Sequence, residues 1–208
     1  MTFSLPDTAR VGTVVPKKAF YTHSKVNAKT KRAFTDQIQK ITWLYKLAPH
    51  TVNLSATEQI EEIQIFQLDL KEQDIPRVVL RAIDRAIPYP ILFVITYQSR
   101  TAYAISLKVA GEDRWYITSW NELPELSFRG TTLEAVYQGI VRALLGESQQ
   151  SPEQDFETVV STDARRRQLE REIKILKNKI KREPQFAKQV ELNKELQQKQ
   201  KELAMLGH

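Results

Sequence analysis

The chain has 208 residues, 41% of them apolar and 27% charged, and no cysteine. That is enough for one buried domain plus an extension, and it excludes disulfide frameworks and thiolate metal sites. No stretch has the length of a signal peptide or of a bilayer span, so a cytoplasmic protein without membrane contact is expected.

Charge divides the chain into blocks: net +7 over residues 1–46, −7 over 47–162 and +6 over 163–208. Each block is either an ordinary solvated face or a surface for a partner of opposite sign. Residues 1–26 contain Pro6, Gly12 and Pro16 without a clear period and read as extended loop. From Asn27 onward Phe34, Ile38, Ile41 and Tyr45 recur at steps of three and four, which predicts one helix closed by Pro49. Ile63 to Leu70 reads as a strand with apolar residues on both faces, implying burial on both sides or a bulge near Ile65 and Phe66.

Asp74 is a candidate N-cap for a helix carrying Val79 and Ile83 inward, with Pro76 in its first turn. The segments ILFVITYQ, AYAISLKV and RWYITSW are joined by short turns and predict an antiparallel meander. A further helix starts at Thr131, with Val136, Ile140 and Leu144 inward. The predicted fold class is α+β, a mainly antiparallel sheet with packed helices over residues 1–145, followed by a C-terminal helical tail of coiled-coil-like pattern.

Residues 146–162 are polar and patternless, as a linker would be. Beyond them, over 163–206, Leu169, Ile173, Leu176 and Ile180 step by four, three and four, and Leu192 and Leu196 resume the pattern after Pro184. The tail is therefore two helices kinked or turned near Pro184. These six apolar residues are the candidate partner-binding seam, for another protein or for a second copy of the tail; a hairpin and an intermolecular pairing both satisfy the pattern. Lys199 occupies one position of that seam.

Catalytic signals are sparse. Asp69 and Lys71, two apart at the end of the strand, would share a face about 6.6 Å apart, as in some metal-dependent nuclease cores. A nuclease also needs a second acid on the same metal, and Glu62 lies seven residues away on the opposite face, about 23 Å along a strand. Asp69 and Lys71 thus stand as an alternative reading rather than a complete site. His23, His50 and His208 have no metal-ligand spacing, the six glycines form no phosphate loop, and no cofactor is implied.

Tyr97, Tyr103, Trp115, Tyr116 and Trp120 could form a stacking platform, but they lie in the acidic block and read better as cross-strand packing. The tail is the better nucleic-acid candidate. Arg165, Arg166, Arg167, Arg171, Lys174, Lys177, Lys181 and Arg182 could contact phosphate, or equally an acidic protein surface. The N-terminal block adds Lys17, Lys18, Lys25, Lys29, Lys31 and Arg32.

The segments ITWLYKLAPHTVNL, EEIQIFQLDLK, IDRAIPYPILFVITY, WYITSW and EPQFAKQVELNKEL resemble the bacterial family known as domain of unknown function 4391. Pro184 departs from the pattern, where a lysine is expected. The resemblance implies a genomic setting beside helicases and DNA methyltransferases in restriction-modification-like or phage-defence loci. It supplies no catalytic residues. Together these readings describe a non-catalytic accessory subunit of a DNA-related complex, with a helicase or DNA methyltransferase as the implied partner.

Overall fold

The computed structural model describes residues 3–22, 26–107, 114–146 and 155–206. The chain forms two compact units, residues 1–150 and 151–208. In the first, the elements run β1 (Arg10–Val14), α1 (Ala28–Asp36), β2 (Ile38–Leu47), the single turn α2 (Pro49–Val52), β3 (Ile63–Leu70) and α3 (Arg77–Ala86). There follow β4 (Ile91–Tyr97), β5 (Arg100–Leu107), β6 (Arg114–Ile117) and α4 (Leu133–Leu145). The six strands make one sheet in chain order. Every pairing is antiparallel except β3 with β4, where α3 provides the crossover that a parallel pair needs.

Alternation along the strands gives the sheet two buried faces. Phe66, Leu68, Phe93, Ile95, Ala102 and Ala104 pack with Phe34 of α1 and with Val79, Leu80 and Ile83 of α3. The row Ile65, Leu92, Ile105 and Tyr116, in register across four strands, occupies the opposite face and is also buried. There α4 packs on β5 and β6 through Val136, Tyr137 and Ile140. The aromatic residues of the meander belong to this packing: Phe93, Tyr103 and Tyr116 are buried, and Trp115 lies against Phe93 with ring centroids 5.9 Å apart.

The single helix expected from Asn27 to Pro49 is corrected by the structure. Asn27 does cap α1, its Oδ1 accepting from the Thr30 backbone N–H at 2.8 Å, but the helix ends at Asp36. Residues 38–47 are a strand whose register against β3 shifts between Ile38 and Lys40 and again between Trp43 and Tyr45. The first bulge keeps Ile38 and Ile41, three residues apart, on the α1 side of the sheet. The second sends Tyr45 and Leu47 to the other side, where both are buried. The first added residue thus gives Ile38 and Ile41 a step of three on one face, and the second moves Tyr45, four residues on, to the other. The irregularity expected near Ile65 and Phe66 sits opposite them, on β2.

Other boundaries shift less. Residues 10–14, read as loop, form the edge strand β1, with Gly12 at φ 67° where its register shifts. Pro76 rather than Asp74 precedes α3, and Thr132 rather than Thr131 caps α4, its hydroxyl accepting from the Ala135 N–H at 3.1 Å.

The second unit consists of α5 (Phe156–Arg182) and α6 (Phe186–Met205). α5 begins inside the stretch read as linker; the β-branched residues of ETVVST weaken the helical signal there. Residues 147–154 of that stretch lie outside the described residues. The break falls at Glu183–Gln185, around Pro184, as the ring of proline dictates. Among the described residues no helix is long and apolar enough to cross a membrane.

Candidate functional site

Asp69 and Lys71 do not converge. Asp69 lies on the face of the sheet opposite α1, where Thr96 Oγ1 donates to its Oδ1 at 2.6 Å and Gln67 Nε2 donates at 2.5 Å. Lys40, its cross-strand neighbour on β2, stands 3.2 Å from Oδ2. Burial raises the Asp69 pKa, but the hydrogen bonds from Thr96 and Gln67 together with the Lys40 ammonium outweigh it. The carboxyl is held below its ordinary value.

Lys71 lies one residue beyond β3 and reaches the other way, toward α1, where its Nζ donates to the Thr35 carbonyl at 2.7 Å. It thereby satisfies a carbonyl of the last helical turn, where cations are favoured. Burial, and then the nearby Lys71 charge, lower the pKa of Lys17, whose ammonium caps the Ile38 carbonyl. The two residues read as a catalytic pair are therefore a satisfied strand carboxylate and a helix-end cation. Among the described residues no group of three or more His, Asp or Glu side chains could hold a metal ion.

The tail seam closes on itself. Two ion pairs fix an antiparallel register between α5 and α6: Arg165 with Glu202 at 2.7 Å, and Glu172 with Lys199 at 2.6 Å. In that register Leu169, Leu176 and Ile180 stand opposite the Leu203, Leu196 and Leu192 region. Leu169, Ile173 and Leu176 are buried, and Ile180, Leu192 and Leu196 are half-buried. The turn is held by Gln189 Nε2, which donates to the Glu183 carbonyl at 2.6 Å. Of the two arrangements the pattern permits, the hairpin is the one adopted, and the six candidate partner-binding residues form its interior seam.

Lys199 keeps its charge within that seam. Its pKa is raised by the hydrogen bond to Glu172, and that of Glu172 is lowered by the bonds from Lys199 and Gln168. A lone lysine among leucines signals such a pair, but the sequence does not reveal that Glu172 is its partner.

The basic residues separate into two groups. Arg165 is held by Glu202, and Arg166 and Arg167 flank the buried Asp163 at 2.8 Å each. These three are engaged within the tail. Arg171, Lys174, Lys177, Lys181 and Arg182 are exposed and make no ion pair among the described residues. At 100° per residue Arg171, Lys174, Lys181 and Arg182 fall on the face of α5 turned away from the seam, and Ile175 lies among them with 54% exposure.

A feature the apolar periodicity did not single out is the other flank of α6. None of its residues is buried, although it carries Leu192, Leu196 and Leu203. Phe186, 78% exposed, and Val190 stand one turn apart, away from Glu191, Glu195 and Glu202. Their i, i+4 spacing is the signal that could have found them.

Against known proteins, a family model described as "Domain of unknown function (DUF4391)" matches residues 3–203. No curated protein and no solved structure matches the chain.

Proposed function

This chain belongs to the DUF4391 family, and from that premise we propose that it is a non-catalytic docking subunit of a DNA-related assembly. The hairpin α5–α6 is the docking arm. The observation that carries this reading is the incomplete covering of its apolar residues: α6 buries none of its side chains, and Phe186, Val190 and Ile175 face solvent. A two-helix hairpin can cover only one side of each helix, and a third element would remove the remaining apolar surface from water. The exposed cations Arg171, Lys174, Lys181 and Arg182 favour an acidic surface on that third element.

The family resemblance suggests its class, a helicase or DNA methyltransferase of a restriction-modification-like or phage-defence system. The test is co-purification of the full-length protein from its host after nuclease digestion, compared with Phe186→Ser/Val190→Ser. Both substitutions lie on the solvent face and leave the seam intact. Recovery of a DNA-translocating or DNA-modifying enzyme with the wild type and its loss from the variant is the expected result. Equal recovery with both proteins, or recovery of no such enzyme, overturns the reading.

A further inference from the structure

The two flanks of the tail hairpin differ in charge, and its ion pairs tell which residues lie on which flank. An ion pair between neighbouring helices needs both ends on the same side. Arg165 and Glu172 of α5 therefore share one flank with Lys199 and Glu202 of α6. Counting about 100° per residue from these positions puts Glu191 and Glu195 there as well. A depression near the turn agrees with that grouping, since Lys179, Glu183, Lys188, Glu191 and Glu195 all line it. This first flank is mixed in sign.

The second flank is not. On α5 it carries Lys174, Lys177 and Lys181 at i, i+3 and i+7, all exposed and without an ion pair among the described residues. The nearest acid on that side is Glu170, one turn before Lys174. On α6 it carries Phe186, Val190, Asn193 and Gln197 at i, i+4, i+7 and i+11, all exposed and none of them charged. The register set by the ion pairs brings the two rows alongside each other. Three cations spanning about 10 Å thus border an uncharged row of about 16 Å that begins with the ring of Phe186.

We propose that this second flank seats an amphipathic helix of the protein partner, its apolar stripe on Phe186 and Val190 and its acidic side along Lys174, Lys177 and Lys181. The three helices then form one bundle. The proposal rests on the docking-arm reading and specifies the chemistry of what docks. A helix fits because it satisfies its own backbone, and α5 and α6 offer side chains rather than a strand edge. An acidic helix fits because three neighbouring cations have no carboxylate beside them on this flank. A phosphodiester backbone would meet the cations but leave Phe186 and Val190 in water. A second copy of the tail, itself net +6 over residues 163–208, would bring further cations against the same row.

The experiment is fluorescence anisotropy with full-length protein and three fluorescein-labelled probes. These are a designed helical peptide with a leucine stripe flanked by glutamates, the same peptide with lysines for glutamates, and a DNA duplex. The variants are Lys177→Glu/Lys181→Glu and Phe186→Ser on the second flank, with Lys179→Glu/Lys188→Glu on the first as control. All of these positions are exposed, and dichroism at 222 nm checks that each variant keeps its helices.

The expected result is binding of the acidic peptide alone, weakened about tenfold by Lys177→Glu/Lys181→Glu and by Phe186→Ser but little changed in the control. Its affinity should fall as salt rises. No binding of the acidic peptide overturns the proposal. So does equal weakening by the two charge reversals, which would reflect net charge alone. Duplex binding that is lost in Lys177→Glu/Lys181→Glu makes the flank a nucleic-acid surface and also overturns it. Sedimentation velocity covers the remaining occupant: a dimer abolished by Phe186→Ser assigns the flank to a second copy, and the proposal fails. Co-purification judges the docking arm separately. An enzyme lost with Phe186→Ser/Val190→Ser but retained with Lys177→Glu/Lys181→Glu upholds the arm and rejects the acidic helix.

Discussion

The two units of this protein use apolar residues in opposite ways. In residues 1–150 the sheet is covered on both faces, and strand β4 is buried from Ile91 to Ile95. Among the described residues of 151–208 the buried apolar side chains all lie on α5, at Val159, Leu169, Ile173 and Leu176, with none buried on α6. The sheet domain therefore owes its stability chiefly to area removed from water. The hairpin has a narrower apolar seam, and its two partly exposed ion pairs fix register more than they add stability, since salt screens them. One unit encloses its core, and the other leaves Phe186, Val190 and Ile175 in water.

This contrast can be broken most severely in the core. Phe93→Ala removes a fully buried ring at the centre of the sheet and is expected to cost about 3–5 kcal/mol, read as a lower midpoint in urea unfolding followed by tryptophan emission. Trp43, Trp115 and Trp120 all belong to the first unit, so that signal reports on the sheet domain alone.

Leu176→Asp places a charge in the tail seam. It should abolish the tail's contribution to the far-ultraviolet dichroism while leaving tryptophan emission unchanged. A coincident loss of both signals would show that the units do not fold separately.

Asp69→Ala is a smaller perturbation, about 1–3 kcal/mol, because it leaves the Thr96 and Gln67 donors without their acceptor. Its pH dependence has a definite sign. The folded pKa of Asp69 is lowered, so its stabilisation is fully present above the unfolded value of about 3.9 and is lost as pH falls through the folded value. Urea midpoints of wild type and Asp69→Asn should therefore differ at pH 6 and converge only below about pH 4.

The smallest effect belongs to the Glu172–Lys199 pair. Glu172 is lowered, so its contribution disappears in acid; Lys199 is raised, so its contribution persists below its unfolded value and disappears as pH rises through the folded one. Hairpin helicity should be greatest between those limits. Glu172→Lys should reduce it and Glu172→Lys/Lys199→Glu should restore it, as measured by dichroism at 222 nm.

How much of this was legible in the sequence varied with the element. β3 and the β4–β6 meander stood out because buried strands read as continuous apolar runs bounded by turns. β2 did not, since the bulge between Ile38 and Lys40 sets Ile38 and Ile41 three apart and, with Tyr45 four further on, imitates the spacing of a helix. β1 is short, mostly exposed and broken at Gly12, so no alternation marks it. The tail seam was legible residue by residue, but its occupant was not: periodicity identifies a face and leaves open whether the chain's own next helix covers it. The pairing of α1 with α3 could not be read at all. The two helices are some fifty residues apart in the chain and belong to blocks of opposite net charge, and only their packing on one face of the sheet joins them.

The edges of the sheet have a consequence for solubility. β1 spans five residues, interrupted at Gly12, and β6 spans four. Borders this short and irregular are poor templates for a neighbouring strand, so the domain resists polymerising by sheet extension even when crowded.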